Sequence, residues 1–302
     1  MSARGLGLAL LSSVTFGLSG VLAKPVMAIG VTPVQVTSAR IGFAAVMLLA
    51  VVAVVRPGAL RFRPAEWPLL IGYGLLGVIG APLLFFVSAQ RIPVGIAMLL
   101  EFTAPILVAL WVRFVRGTRL PTAVWCGIAV ALLGLATVGE VWKSLSLDTV
   151  GVLAGLGSAF CTAGYYLLGE RAAGKHDAFG VLAVGMLLGA VLLAVLAPPW
   201  RLPLGAGTDL GPVWVPMLTM AFASTAVAYL AGIISLRHLP SSAASVIGLL
   251  EPVVATVLAW WVLGEALTAL QVAGAVVLLG GAALVQVASS RAVPPEAVPT
   301  PG

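Results

Sequence analysis

Ten apolar stretches of about 18 to 23 residues divide the chain, near 5–27, 33–55, 67–89, 94–114, 121–141, 149–168, 178–197, 212–235, 242–263 and 267–288. Each is long enough, as a helix, to cross ~30 Å of hydrocarbon. Pro57, Pro64, Pro121, Pro198, Pro199 and Pro212 fall in the polar connectors, where helices have to end. The expected architecture is an all-α integral membrane protein of ten transmembrane helices. Residues 289–302 carry Pro294, Pro295, Pro299 and Pro301 and too little apolar surface to pack a core, and are expected to form a disordered tail.

The polar segments repeat. The string PVGIAMLLEFTAP at 93–105 and the string PSSAASVIGLLEP at 240–252 are two versions of one pattern. A shift of 147 superimposes Pro93 on Pro240, Pro105 on Pro252, Gly117 on Gly264, Gly127 on Gly274 and Gly134 on Gly281. A shift of 146 brings 5–22 onto 151–168 and Ser12 onto Ser158. The chain is therefore expected to divide into a first repeat at 1–141 and a second at 149–288. Each repeat holds five spans, an odd number, so the second enters the membrane upside down. Inverted repeats place a binding site near the bilayer midplane, between the halves.

Composition strengthens this picture. Of 302 residues 61% are hydrophobic and 9% charged, with a mean hydropathy of +1.15, whereas a soluble domain carries about 25% charged residues. The net charge of +6 does not point to nucleic acid, because the basic residues are scattered singly through short connectors. They report orientation instead. With a cytoplasmic amino terminus, that side holds Arg4, Arg56, Arg61, Arg63, Arg113, Arg116, Arg119, Arg171, Lys175, Arg237 and Arg291; the other holds Lys24, Arg91, Lys143 and Arg201. Eleven against four satisfies the positive-inside rule, in a plasma membrane with both termini and the tail cytoplasmic. Trp67, Trp142, Trp200 and Trp214 fall at span ends, the headgroup level that indoles favour. Cys126 and Cys161 lie in apolar stretches and imply no disulfide framework. Arg4 and the apolar run after it could pass for a cleaved signal peptide, but its counterpart at 151–168 argues for a retained first span.

Three charged residues sit deep within spans: Arg40, Glu101 and Glu251. An ionised side chain at a helix centre costs about 2.5–3.5 kcal/mol on insertion scales, so such residues normally face a protein interior or a wet cavity. Arg40 and Glu101 lie roughly 10–12 Å from the same outer face, and Glu251 ~16 Å from the other, near the midplane. Pro105 and Pro252 each remove a backbone hydrogen bond and should bend their helices beside these acids. The plainer reading stands next to this one: Arg40 and Glu101 lock two helices together, and Glu251 caps backbone freed by Pro252. Ser12, Ser158 and Tyr165 could line a cavity, although serines also serve as ordinary helix contacts. No His-Glu-x-x-His string is present, and no metal or cofactor is expected.

The strings LEFTAP at 100–105, LEP at 250–252 and LGEALT at 263–268 resemble the drug/metabolite transporter superfamily, specifically its family built from two EamA repeats. The first string is similar to the branch that includes threonine and homoserine exporters. The resemblance covers about 5–288. It implies a central cavity lined by both halves, alternating access, and secondary export of amino acids or related small solutes coupled to a proton or other ion gradient; a homodimer is left open. One departure is that Arg119 stands where the second repeat has Ala266, and the first repeat lacks the Glu265 acid. On this reading Arg40 attracts a substrate carboxylate, Glu101 balances an amine or an exchanged proton, and Glu251, Pro105 and Pro252 serve as hinge or gate. The rivals are a channel, a structural membrane partner, or an intramembrane hydrolase. The last would use Ser19 in the string GLSG, but His176 and His238, the chain's two histidines, fall in connectors and leave Ser19 without a base.

Overall fold

The computed structural model describes residues 3–143, 148–264 and 268–291, so the expected tail beyond 291 and Glu265 and Ala266 of the second repeat lie outside the described residues. Ten helical spans follow one another: α1 (Ala3–Ala28), α2 (Pro33–Val55), α3 (Pro64–Ala89), α4 (Val94–Phe114), α5 (Thr122–Val138), α6 (Thr149–Ala173), α7 (Ala178–Leu196), α8 (Trp214–Ser235), α9 (Ser241–Val262) and α10 (Ala269–Arg291). The one non-helical ladder among the described residues is a two-residue hairpin, Gly207–Thr208 with Gly211–Pro212, between α7 and α8.

Local chemistry sets the helix starts. Thr32 and Gln35 form a reciprocal capping box ahead of Pro33, the first residue of α2. Asp148 and Asp177 accept from the backbone N–H groups of Gly151 and Phe179, at 2.7 and 2.9 Å, and so start α6 and α7. Several bounds differ from expectation, those of α5 and α6 among them. α5 ends at Val138, followed by Gly139 and by Glu140 at φ 46°, a left-handed residue that turns the chain out of the helix. α6 runs five residues past Leu168 to Ala173, carrying Glu170 and Arg171 on its last turns. Glu170 there is met by Ser241 and Arg116, while Arg171 is exposed.

The inverted duplication shows in the packing. α1 packs on α8 and α9 of the other repeat, and α6, its counterpart, packs on α3 and α4. The counterparts α2 and α7 pair with each other across the axis, as do α5 and α10. The α5–α10 seam is the tightest. A Cβ added at Gly134 would stand 2.7 Å from the Gly274 carbonyl oxygen, and one at Gly281 2.7 Å from that of Gly127. The two superimposed pairs thus meet crosswise in space, Gly127 against Gly281 and Gly134 against Gly274, and their backbones approach as closely as small residues in membrane helices permit.

Irregularities recur at equivalent places too. α3 is π-helical at Gly74–Gly80 and α8 at Phe222–Val227. α4 is broken after Glu101 and resumes at Ala104, and α9 is broken at Leu249 between Gly248 and Leu250. The shift of 147 carries Phe102 onto Leu249, so both breaks lie three residues ahead of Pro105 and Pro252. The missing proline N–H groups account for them. Replacing Gly134 by Leu should cost about 1–3 kcal/mol of overpacking and lower the thermal midpoint in detergent. Gly280→Leu, at a glycine whose Cβ would meet nothing within 4 Å, should leave that midpoint unchanged. Equal midpoints for the two variants would refute a tight seam.

Candidate functional site

A cavity of about 670 Å³ lies between the repeats, walled mainly by α1, α3, α4, α6, α8 and α9. That volume falls within the ~300–1,000 Å³ of small-molecule sites. Lys24, Pro33, Gln90, Val94 and Gln271 border it where α1 and α3 end and α2, α4 and α10 begin, so it opens toward that face. At the other end it reaches Ala9, Ser235 and Ala244 and stops.

Arg40, Glu101 and Glu251 all face this space. Arg40 comes from α2 and is buried; its Nη1 donates to Ser19 Oγ on α1 at 2.6 Å, while its Nε has no hydrogen-bond partner. Tyr229 of α8 lies within electrostatic reach of this guanidinium. Glu101, the last residue before the break in α4, accepts at Oε1 from Thr162 Oγ1 of α6 at 3.2 Å. Glu251, in the first turn after the break in α9, approaches from the opposite repeat. Among the described residues no ion pair joins Arg40 to either acid. The charges therefore face one space without neutralising one another in contact, an arrangement suited to a ligand carrying both signs. Each acid sits beside a helix interruption, where loosened backbone groups and a carboxylate converge, as in the broken helices of other inverted-repeat carriers.

An aromatic wall completes the cavity. Phe16 meets Tyr229 edge-on at 4.8 Å, and Tyr165 packs against Tyr73, Tyr166 and Tyr229 at 5.7, 5.0 and 5.6 Å. The Tyr229 hydroxyl donates to the Gly77 carbonyl at 3.1 Å, inside the π-helical part of α3. The Tyr165 and Tyr166 hydroxyls press against Gly232 of α8 and Gly248 of α9, where a side chain would have no room.

The two candidate serines do one job twice. Ser12 Oγ donates to the Ala228 carbonyl and Ser158 Oγ to the Ala81 carbonyl, each at 2.8 Å and each to the first residue after a π-helical segment. Ser12 also borders the cavity; Ser158 stands behind its wall, beside Glu101. Pro252 lines the cavity, whereas Pro105 is buried outside it. Ser19, Thr162, Phe16 and Tyr229 were not among the residues singled out for binding. Ser19 is the position that a shift of 146 relates to Tyr165, a usable signal; nothing in the sequence of α8 marks Tyr229.

Ten spans in two inverted sets of five, with a charged cavity between them, define a multi-pass membrane carrier. The chain belongs to the EamA-like transporter family, which it matches twice, over residues 3–139 and 149–287. It is 33% identical over 270 residues to the threonine/homoserine exporter RhtA of Salmonella typhimurium (strain LT2), covering 87% of this chain and 83% of that protein. The RhtA of Escherichia coli (strain K12) is 33% identical over 244 residues, 78% and 76% of the two chains. The uncharacterized transporter YdfC of Bacillus subtilis is 25% identical over 257 residues, 83% and 81%. A solved crystal structure with 18% identity shares the fold at a TM-score of 0.80 over 96% of this chain and 99% of its own.

Because Ser12 and Ser158 make equivalent bonds, Ser12→Ala and Ser158→Ala should each cost about 1 kcal/mol of stability. Thermal unfolding in detergent measures this, and a loss confined to one of the two would contradict their equivalence.

Proposed function

We propose that the chain exports threonine-like or homoserine-like amino acids, or closely related small zwitterions, across the plasma membrane by alternating access. The observation that carries this reading is one cation and two acids facing a single closed-ended cavity without direct pairing. Arg40 takes the solute carboxylate through the guanidinium edge that Ser19 leaves free. Glu101, oriented by Thr162, takes the amine, or carries a proton exchanged against it. Glu251, beside the second break, serves as hinge or gate together with Pro105 and Pro252. The aromatic wall of Phe16, Tyr165, Tyr166 and Tyr229 packs the solute side chain. The names of the relatives support the substrate class, and the eleven-to-four distribution of Lys and Arg supports cytoplasmic termini with the cavity facing outward.

The repeats at 1–141 and 149–288 act as two halves of one carrier, and a homodimer is not required, since the cavity lies within one chain. A channel is disfavoured by the closed end. A hydrolase is disfavoured because Ser19 Oγ is held by Arg40, while both histidines lie beyond the closed end.

Purified protein in liposomes, loaded with labelled threonine or homoserine and assayed for counterflow alongside a wider solute panel, tests the reading. Arg40→Ala and Glu101→Gln should each raise the half-saturating solute concentration roughly 30-fold or more, the equivalent of losing about 2–3 kcal/mol of charge-assisted hydrogen bonding. Unimpaired counterflow by both variants would rule out these roles.

A further inference from the structure

The closed end of the cavity is held by a small set of polar bonds that tie the end of α6 to the start of α9 and to the α8–α9 connector, with Arg116 joining them from the first repeat. Glu170, on the last turn of α6, accepts from the backbone N–H and the hydroxyl of Ser241, the first residue of α9, at 3.0 and 3.1 Å. Arg116, just beyond α4, pairs with the same carboxylate at 2.5 Å and fixes it in place. Arg237, between α8 and α9, donates through Nε to the carbonyl of Ala173, the last residue of α6, and through Nη2 to that of His176 just beyond it, at 3.0 and 2.5 Å. Ser235 and Ala244, where the cavity stops, are a few residues from these groups in the same two helices.

The repeat supplies an independent observation. A shift of 146 carries Lys24 onto Glu170, and a shift of 147 carries Gln90 onto Arg237 and Val94 onto Ser241. Lys24, Gln90 and Val94 all border the open mouth. The positions joined at the closed face are thus counterparts of positions that border the mouth at the other. Two buried tyrosine hydroxyls beside the closed end add a second observation. Those of Tyr73 and Tyr165 have no hydrogen-bond partner. Tyr73 packs against Gly169, next to Glu170, and its ring lies 5.7 Å from that of Tyr165. A buried hydroxyl without a partner costs free energy that water or a solute would return.

We infer that Glu170, Ser241 and Arg237 form the gate of the closed face, with Arg116 as the residue that positions the Glu170 carboxylate. Their separation opens the same cavity to that face, along a path lined by the hydroxyls of Tyr165 and Tyr73. The inference rests on the carrier reading above, and adds to it the bonds that must break in each cycle.

The test uses the full chain in oriented membrane vesicles, with Cys126 and Cys161 replaced by Ser. A cysteine introduced at Tyr73, or in a second variant at Tyr165, is exposed to a membrane-impermeant maleimide applied from the closed face. Adding Glu170→Gln and Arg237→Ala should raise the labelling rate about tenfold or more by shifting the population toward the open gate. In a separate variant, Glu170→Cys with Ser241→Cys, oxidation should stop counterflow and a reductant should restore it, with solute binding to detergent-purified protein retained throughout. Unchanged labelling in both tyrosine variants, or full counterflow in the cross-linked protein, overturns the gate. If labelling responds while no amino acid is bound or moved, the gate stands and the amino-acid reading falls.

Discussion

An ionisable side chain within a bilayer normally faces a protein interior or a wet cavity, and this chain keeps three of them at one place. That demand organises the bundle. Arg40, Glu101 and Glu251 come from three helices of two repeats, and each must be walled in by the others' helices, so α1 and α6 reach across into the opposite half. The cavity lies where apolar helices surround ionisable groups that form no ion pair with one another among the described residues. Ser19 and Thr162 hold the guanidinium and one carboxylate in position. Without them these long side chains would be free to collapse into a bridge and fill the space.

The duplication is kept in the backbone and abandoned in the side chains. Both π-helical segments, both helix breaks and both serine-to-carbonyl bonds recur. The charges do not. Arg40 has no basic counterpart, and the two acids flank equivalent breaks from opposite sides, Glu101 before its break and Glu251 after. Two of the four tyrosines come from α6, where α1 carries Ser19 and Gly20 at the matching places. Backbone symmetry suits a machine that presents one site to two faces in turn. Side-chain asymmetry suits a solute that is not itself symmetric.

Much of this could be read from the chain. Long apolar runs, connector prolines and the 147-residue repeat place ten helices within a few residues, because lipid enforces length and satisfied backbone with little help from tertiary context. Arg40, Glu101 and Glu251 stood out because charge in hydrocarbon is costly. The partners were harder to see. A helix that is apolar on all sides carries no stripe to say which face looks inward, so Tyr229 and Thr162 had no rotational address before the packing was known. Glu170 was hidden for another reason: at a span end a charge is ordinary, and only the position of Ser241 and Arg116 around it makes it distinctive. Ser158 stood out as a polar residue within a span, but which group its hydroxyl meets, the Ala81 carbonyl, depends on packing.

The glycine seam between α5 and α10 has a bearing on origin. Gly127 lies against Gly281 and Gly134 against Gly274, so each helix meets the surface that it itself presents. A surface complementary to its own copy is isologous, the kind through which identical subunits form closed pairs. Here the paired copies run in opposite senses through the membrane. A half-length ancestor with this helix could therefore have assembled with a twin inserted the other way up, before any fusion joined them. Fusion then fixed one half in each orientation and freed them to diverge, so that one could acquire an arginine the other never needed.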